Sequence, residues 1–251
     1  MRTALIYTPR LLVERLAELS LERRRTSRLR TTSGARLRGA FLDSLELLEL
    51  VPLAPKVIYD VGANIGTWTL LAKSIYPLAA VFAFEPLEMH CQAYLRTITA
   101  LEHVTLHHVA LGSIPGRFDM QIPTQSDSAS LLPMAPACHD VFNLKFDKSV
   151  TVTVERLDDY AQTHHLPAPD LMKLDVQGFE CEFLKGGAKS LECAKAVIAE
   201  VSFREFYKGQ CRFDQLVSLL AEAGLFVHAF GARTAVGRPL DQCDMLFLRP
   251  S

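Results

Sequence analysis

The chain has 251 residues, 49% of them hydrophobic and 22% charged, with a formal net charge of −1. That length can bury a full core in one large α/β domain with an N-terminal appendage. The near-neutral balance argues against a generally cationic nucleic-acid binder and leaves small-molecule chemistry as the expected class.

Charge interrupts the opening segment "MRTALIYTPRLLVERLAEL" before a signal-peptide core can form, and no apolar run is long enough to span a bilayer, so a cytoplasmic chain is expected. Residues 1–38 carry Arg at 2, 10, 15, 23, 24, 25, 28, 30, 36 and 38 against Glu14, Glu18 and Glu22. Leu11, Leu12, Leu16 and Leu19 fall near helical spacing, which predicts an amphipathic helix. A cap on the main domain or a homodimer contact is its plain use, and docking on an anionic surface the sharper one. The following "RTTSGARLRGA" has the composition of a linker. Six cysteines, at 91, 138, 181, 193, 211 and 243, form no C-x-x-C pair and are expected to be reduced, mostly structural thiols.

From residue 56 short apolar runs alternate with helical patterns. Strands are expected at Val57–Val61, Ala80–Phe84, Val104–Val109, Leu171–Leu174, Ala196–Val201, Phe226–Phe230 and Met245–Leu248, with helices at about 66–76, 87–100, 180–193 and 212–223. This rhythm predicts an open, doubly wound α/β sheet with its ligand site beyond the carboxyl ends of the strands. The stretch from about 112 to 150, with "TQSDSASLLPMAPACHD", breaks the rhythm and predicts a functional loop or a small excursion such as a hairpin.

In "DVGANIG", Asp60 ends the first strand, and Gly62 and Gly66 leave a turn without Cβ atoms for close ligand approach. The G-x-x-x-G spacing is neither the dinucleotide fingerprint nor a phosphate loop, which disfavours pyrophosphate. An acid at the turn suits an ammonium group. Glu85, in "VFAFEP" at the end of the second strand, is placed to accept hydrogen bonds from two ribose hydroxyls, a helix cap being its structural alternative. Ammonium and ribose without pyrophosphate describe S-adenosylmethionine.

A third motif, "DLMKLDVQGFE", brings Lys173, Asp175 and Glu180 around a strand end. With "VALG", "SASL", "VTVERLDDY" and "EVSFREFY" in the same order, the chain resembles the FkbM family of methyltransferases over about residues 56–230. The resemblance implies a class I (Rossmann-like) methyltransferase fold, a seven-stranded sheet with an antiparallel last strand, and methylation of a hydroxyl on a sugar, glycan or secondary metabolite. It implies that Asp60, Gly62, Asn64 and Gly66 hold the methionine end, Glu85 the ribose, and Val109 with Ala110 the adenine. The chain then divides into a basic arm and linker over 1–50 and a methyltransferase domain over 51–251.

Asp175, Glu180 and Glu200 are the candidate bases for the acceptor proton. Asp175 and Glu200 on neighbouring strand ends are also candidate ligands for Mg²⁺, with capping as the plain role for Asp175. Lys173 is expected to be solvated or salt-bridged, and His103, His107, His108, His164 and His165 to be loop or surface residues. A nicotinamide oxidoreductase and a noncatalytic binding protein on the same scaffold are the competing functions. The glycine spacing counts against the first, and the presence of all three acids against the second.

Overall fold

A computed structural model describes residues 9–231 and 240–250. Helix α1 (Pro9–Arg28) and the short α2 (Leu45–Glu49) precede β1 (Val57–Val61), α3 (Thr67–Ile75), β2 (Ala80–Phe84), α4 (Glu88–Thr97) and β3 (Val104–His107). Next come β4 (Ala110–Leu111), β5 (Gly116–Pro123), α5 (Pro136–Phe142), β6 (Phe146–Glu155) and α6 (Leu157–Thr163). The chain closes with β7 (Leu171–Leu174), α7 (Glu180–Gly186), α8 (Ala188–Cys193), β8 (Ala196–Ser202), α9 (Phe213–Glu222), β9 (Phe226–Phe230) and β10 (Gln242–Leu248).

The main sheet has seven strands in the order β3-β2-β1-β7-β8-β10-β9. Its first five strands are parallel, and β10 is antiparallel to both neighbours, as expected for the last strand of this fold. Strand order reverses between β1 and β7, the switch point where an α/β sheet opens its crevice.

Alternation along the strands explains both cores and the floor of that crevice. Tyr59, Val61, Met172, Leu174, Val197, Ala199, Met245 and Phe247 pack on one face with Phe183, Leu184, Leu216 and Leu220 of the helices. On the other face Ile58, Leu171, Ile198 and Leu246 pack against Leu71 and against Leu29, Leu42, Leu45, Leu47 and Leu48. Two residues along each strand toward the crevice, that second face turns ionic, with Asp60, Lys173, Glu200 and Asp244. Asp60 is in register with Lys173, and Glu200 with Asp244; Lys173 is in register with Ile198, so the ionic row steps by two residues between β7 and β8.

The second half of α1 docks on the main body. Arg25, 8% exposed, donates to Glu46 and Asp43, and Leu29 is buried. Leu16 and Leu19 are 57% and 38% exposed, so the predicted leucine stripe is uncovered here; the side chains of Leu11 and Leu12 lie outside the described residues. The segment expected to be a linker is instead two 3-10 turns, Ser33–Arg36 and Gly39–Leu42. Buried Leu37 and Leu42 and a 3.1 Å contact between the Ser33 and Ser74 hydroxyls hold it on α3. Its polar composition concealed the leucines that anchor it.

The 112–150 stretch does contain a hairpin. β5 pairs with β6 in a small sheet of order β4-β6-β5, and the 124–145 connection between them lies over the crevice end. The strand expected at 104–109 stops at His107, and the next residues join the small sheet instead. The single helix expected over 180–193 is two, broken at Gly186 and Gly187. Cys181 and Cys211 form a disulfide with Cα atoms 5.2 Å apart, which corrects the expectation of reduced thiols; Cys91, Cys138, Cys193 and Cys243 are not disulfide-bonded. The pairing arises because the Cys211 N–H bonds to the Gly178 carbonyl, setting that segment beside α7. Among the described residues no helix is long and apolar enough to cross a membrane.

Candidate active site

Two joined cavities open at the switch point. The smaller, about 80 Å³, is lined by Phe84, Glu85, His90, Val109, Ala110 and Met120 among others. The larger, about 460 Å³, runs over the ionic row, past Asp60, Lys173, Glu200 and Asp244, to Phe206 and Tyr207. Gly62, Asn64, Asp127, Asp175 and Gln177 line both.

Glu85 is 4% exposed at the tip of β2. Its carboxylate accepts the backbone N–H of Asn64 and of Leu87, each at 2.9 Å, so the acid and the glycine turn fix one another. Three charge-assisted contacts hold it once His90 Nδ1 is counted at 3.3 Å. His90 in turn reaches the Ser126 hydroxyl at 3.0 Å, linking α4 to the 124–135 segment. Nothing in the sequence singled out His90, which carries no motif and gains its partner only through folding.

Asp60 is buried at the tip of β1 and accepts a hydrogen bond from the Thr69 hydroxyl at 2.5 Å. Burial pushes its pKa up to about 6, the Thr69 bond and the nearby Lys173 charge opposing that rise. Gly62 and Gly66 have φ of +78° and +85°. Their lack of a Cβ serves the fold more directly than a ligand. A Cβ at 62 would stand 1.9 Å from the Asp175 carbonyl oxygen, and one at 66 would stand 2.9 Å from the Tyr94 ring. Gly66 lines neither cavity.

Lys173 is buried, and its Nζ lies 3.0 Å from Asp175 Oδ2. Burial alone would lower its pKa, but Asp175, Asp244, Glu200 and Asp60 outweigh burial and raise it, so the ammonium stays charged. The Gln177 amide donates to Asp175 Oδ1 at 2.7 Å and reaches Glu200 Oε2 at 3.3 Å. Glu200 also accepts from the Gln242 amide at 2.8 Å. Burial, then the charges of Asp175 and Asp244, push the Glu200 pKa well above its ordinary value.

Glu180 does not join this group. Its Oε1 accepts the backbone N–H groups of Val176 and Gly178, both at 3.2 Å, and it lines neither cavity. The sequence placed it three residues from Gln177 but could not show that its carboxylate turns back to cap the β7–α7 turn. His107, expected on a loop or the surface, closes β3, where its ring stacks on Phe84 and bonds the Tyr160 hydroxyl at 3.1 Å.

The Asp175 and Glu200 oxygens already face an ammonium and two amides, all donors, which leaves them poorly suited as a divalent-ion cradle. Among the described residues no group of three or more His, Cys, Asp or Glu converges as metal ligands would. S-adenosylmethionine is a different case. A buried carboxylate at the β2 tip, an apolar wall at Val109 and Ala110, and an ionic floor beside it match a ribose, an adenine and a charged amino-acid end.

The seven-stranded sheet with its antiparallel β10 and this acid-tipped switch point define a class I S-adenosylmethionine-dependent methyltransferase. The chain belongs to the FkbM methyltransferase family, whose domain model, "Methyltransferase FkbM domain", matches residues 60–226. It is 26% identical over 182 residues to 2-O-methyltransferase NoeI of Sinorhizobium fredii, covering 70% of this chain and 75% of that one. It is 30% identical over 146 residues to hexuronic acid methyltransferase AglP of Haloferax volcanii, covering 58% and 55%. A solved structure, methyltransferase FkbM from Methylobacillus flagellatus, superposes with a TM-score of 0.49 at 17% identity over 94% of this chain and 60% of that one.

Proposed function

We propose that the chain methylates a hydroxyl oxygen of a sugar, a glycan or a small secondary metabolite. The observation that carries this is the position of Asp175, which lines both cavities and so stands where a cofactor and an acceptor would meet. The names of two relatives, a 2-O-methyltransferase and a hexuronic acid methyltransferase, support the acceptor class.

In this reading Glu85 takes the ribose hydroxyls, Val109 and Ala110 flank the adenine, and Asp60 with the Gly62–Asn64 turn faces the methionine end. S-adenosylmethionine supplies a methyl group already activated on a sulfonium. The protein has to exclude water, align the acceptor oxygen and take or share its proton. Asp175 orients the acceptor hydroxyl. Lys173 holds Asp175 in place through their ion pair, and Glu200, whose proton affinity is raised, is the second group able to accept the acceptor proton. Mg²⁺ has no part in these steps. The exposed Leu16 and Leu19, with Arg23 and Arg24 beside them, support a contact of the arm with an anionic surface.

The test is incubation with isotopically labelled S-adenosylmethionine and a panel of neutral sugars, uronates and small phenols, followed by mass spectrometry. One labelled methyl on oxygen is the expected product. Label on nitrogen or carbon alone would overturn the oxygen assignment.

A further inference from the structure

We propose that Gln177 is a positioning residue that holds Asp175 and Glu200 together as one hydrogen-bonded unit at the junction of the two cavities. The inference rests on the reading of Asp175 as the acceptor-side acid.

Gln177 has φ of +52°, a conformation that side chains other than Asn, Asp and Gly rarely adopt, and it is followed by Gly178 at +92°. A strained residue of this kind persists where surrounding contacts over-determine it. Here the contacts are explicit. The side-chain amide donates to Asp175 Oδ1 at 2.7 Å and to Glu200 Oε2 at 3.3 Å, while its carbonyl oxygen accepts from the Tyr207 hydroxyl at 3.0 Å. The amide orientation follows from chemistry, since carboxylates accept and the tyrosine hydroxyl is the donor on the opposite side. The backbone carbonyl of Gln177 accepts from the Ser130 hydroxyl at 2.7 Å, and the Tyr207 hydroxyl, 2.7 Å from the Ser128 carbonyl, shares its single proton between that carbonyl and the Gln177 side chain. One residue, through its side chain and its backbone carbonyl, therefore connects the β7 end, β8, the crevice-covering segment and the Tyr207 segment.

Asn is one methylene shorter and cannot span two carboxylates, and Glu would add a third negative charge. The charged and titratable groups that face the unit are Lys173 on β7, Asp60 on β1, Glu180 on α7, Asp244 on β10, and Tyr207. With the bridging amide withdrawn, Glu200 loses a hydrogen bond that favours its charged form, which raises its proton affinity further.

Gln177→Asn separates side chain from backbone, because Asn tolerates positive φ. Carboxyl-carbon NMR of the protein without acceptor should show the Glu200 titration displaced upward by about one pH unit. Turnover on the sugar panel should fall by roughly 10- to 100-fold with its acid limb moved the same way, while the S-adenosylmethionine Kd from calorimetry stays within about threefold. Wild-type titration in Gln177→Asn would overturn the proposal. So would loss of cofactor affinity and stability in proportion to turnover, which would mark a merely structural role. If Gln177→Asn folds poorly, Tyr207→Phe frees the amide from the other end and should give a smaller displacement in the same direction; no displacement there would also overturn it. A displaced titration in a protein that methylates nothing on the panel would reject the acceptor reading and leave the Gln177 bridge standing.

Discussion

The Lys173 ammonium and the Asp175 carboxylate, two residues apart on the same face of β7 and its extension, form a 3.0 Å ion pair in which the lysine is buried and the acid opens to the crevice. An acid held this way points its second oxygen at Gln177. Replacing it with Asn keeps the size and removes the charge. Asp175→Asn should lower kcat by on the order of 10²-fold while leaving S-adenosylmethionine affinity within a few fold. Turnover at the wild-type rate in the folded variant would reject the role. Because these carboxylates are met by donors, a chelator should leave the wild-type rate unchanged in the same assay.

Glu85→Ala should weaken S-adenosylmethionine binding by about 1–3 kcal/mol, through lost hydrogen bonds from ribose and through release of the Asn64 and Leu87 amides that Glu85 now holds. Calorimetry measures the loss, and an unchanged Kd would remove Glu85 from the cofactor site.

Gly62→Ala tests the contact between the first and third motifs. With φ at +78° and a Cβ forced against the Asp175 carbonyl, the variant should lose roughly 3 kcal/mol or more of stability in a denaturant titration. A loss below about 1 kcal/mol would mean that the β1 and β7 tips can separate freely.

Glu180 gives a pH dependence of definite sign. Burial raises its pKa to about 7, against the lowering effect of its backbone amide bonds. The native state therefore holds a proton that the unfolded chain, with a pKa near 4.3, has lost. Stability from this group is present below about pH 4.3 and declines as pH rises toward 7, by a total on the order of 3 kcal/mol. Glu180→Gln should flatten that part of the stability profile and leave kcat within about threefold, since the side chain lies outside both cavities. An unchanged slope would contradict the burial argument.

Thiol titration under denaturing conditions should find four reactive cysteines without reductant and six with it. Reduction should cost roughly 2–4 kcal/mol, the loop-closure expectation for a 30-residue separation. Six thiols in the unreduced protein would exclude the bond.

The strands of the main sheet were legible because most are short, continuous apolar runs, the mark of a strand buried on both faces, although β3 and the edge strand β9 are partly exposed. Asp60, Glu85 and Asp175 were legible because they end such runs. What escaped came from long-range partners. Gln177 meets Glu200 and Tyr207, and His90 meets Ser126, across separations of 23, 30 and 36 residues. β5 and β6 were concealed by their exposed, mixed faces, and the Cys181–Cys211 pair by a spacing that carries no motif. The glycines were found for a reason only partly right, since the bare backbone at 62 makes room for the neighbouring strand end.

The row formed by Asp60, Lys173, Glu200 and Asp244 shares its odd-or-even register with Ile58, Leu171, Ile198 and Leu246, so parity along each strand decides core and chemistry at once. Inserting one residue into β7 before Met172 would swing Lys173 to the opposite side of the sheet and expose an apolar side chain in its place. Point substitutions can retune this crevice, but single-residue insertions within its strands cannot, and length variation among related chains should be confined to the connections between strands, the 112–150 stretch first among them.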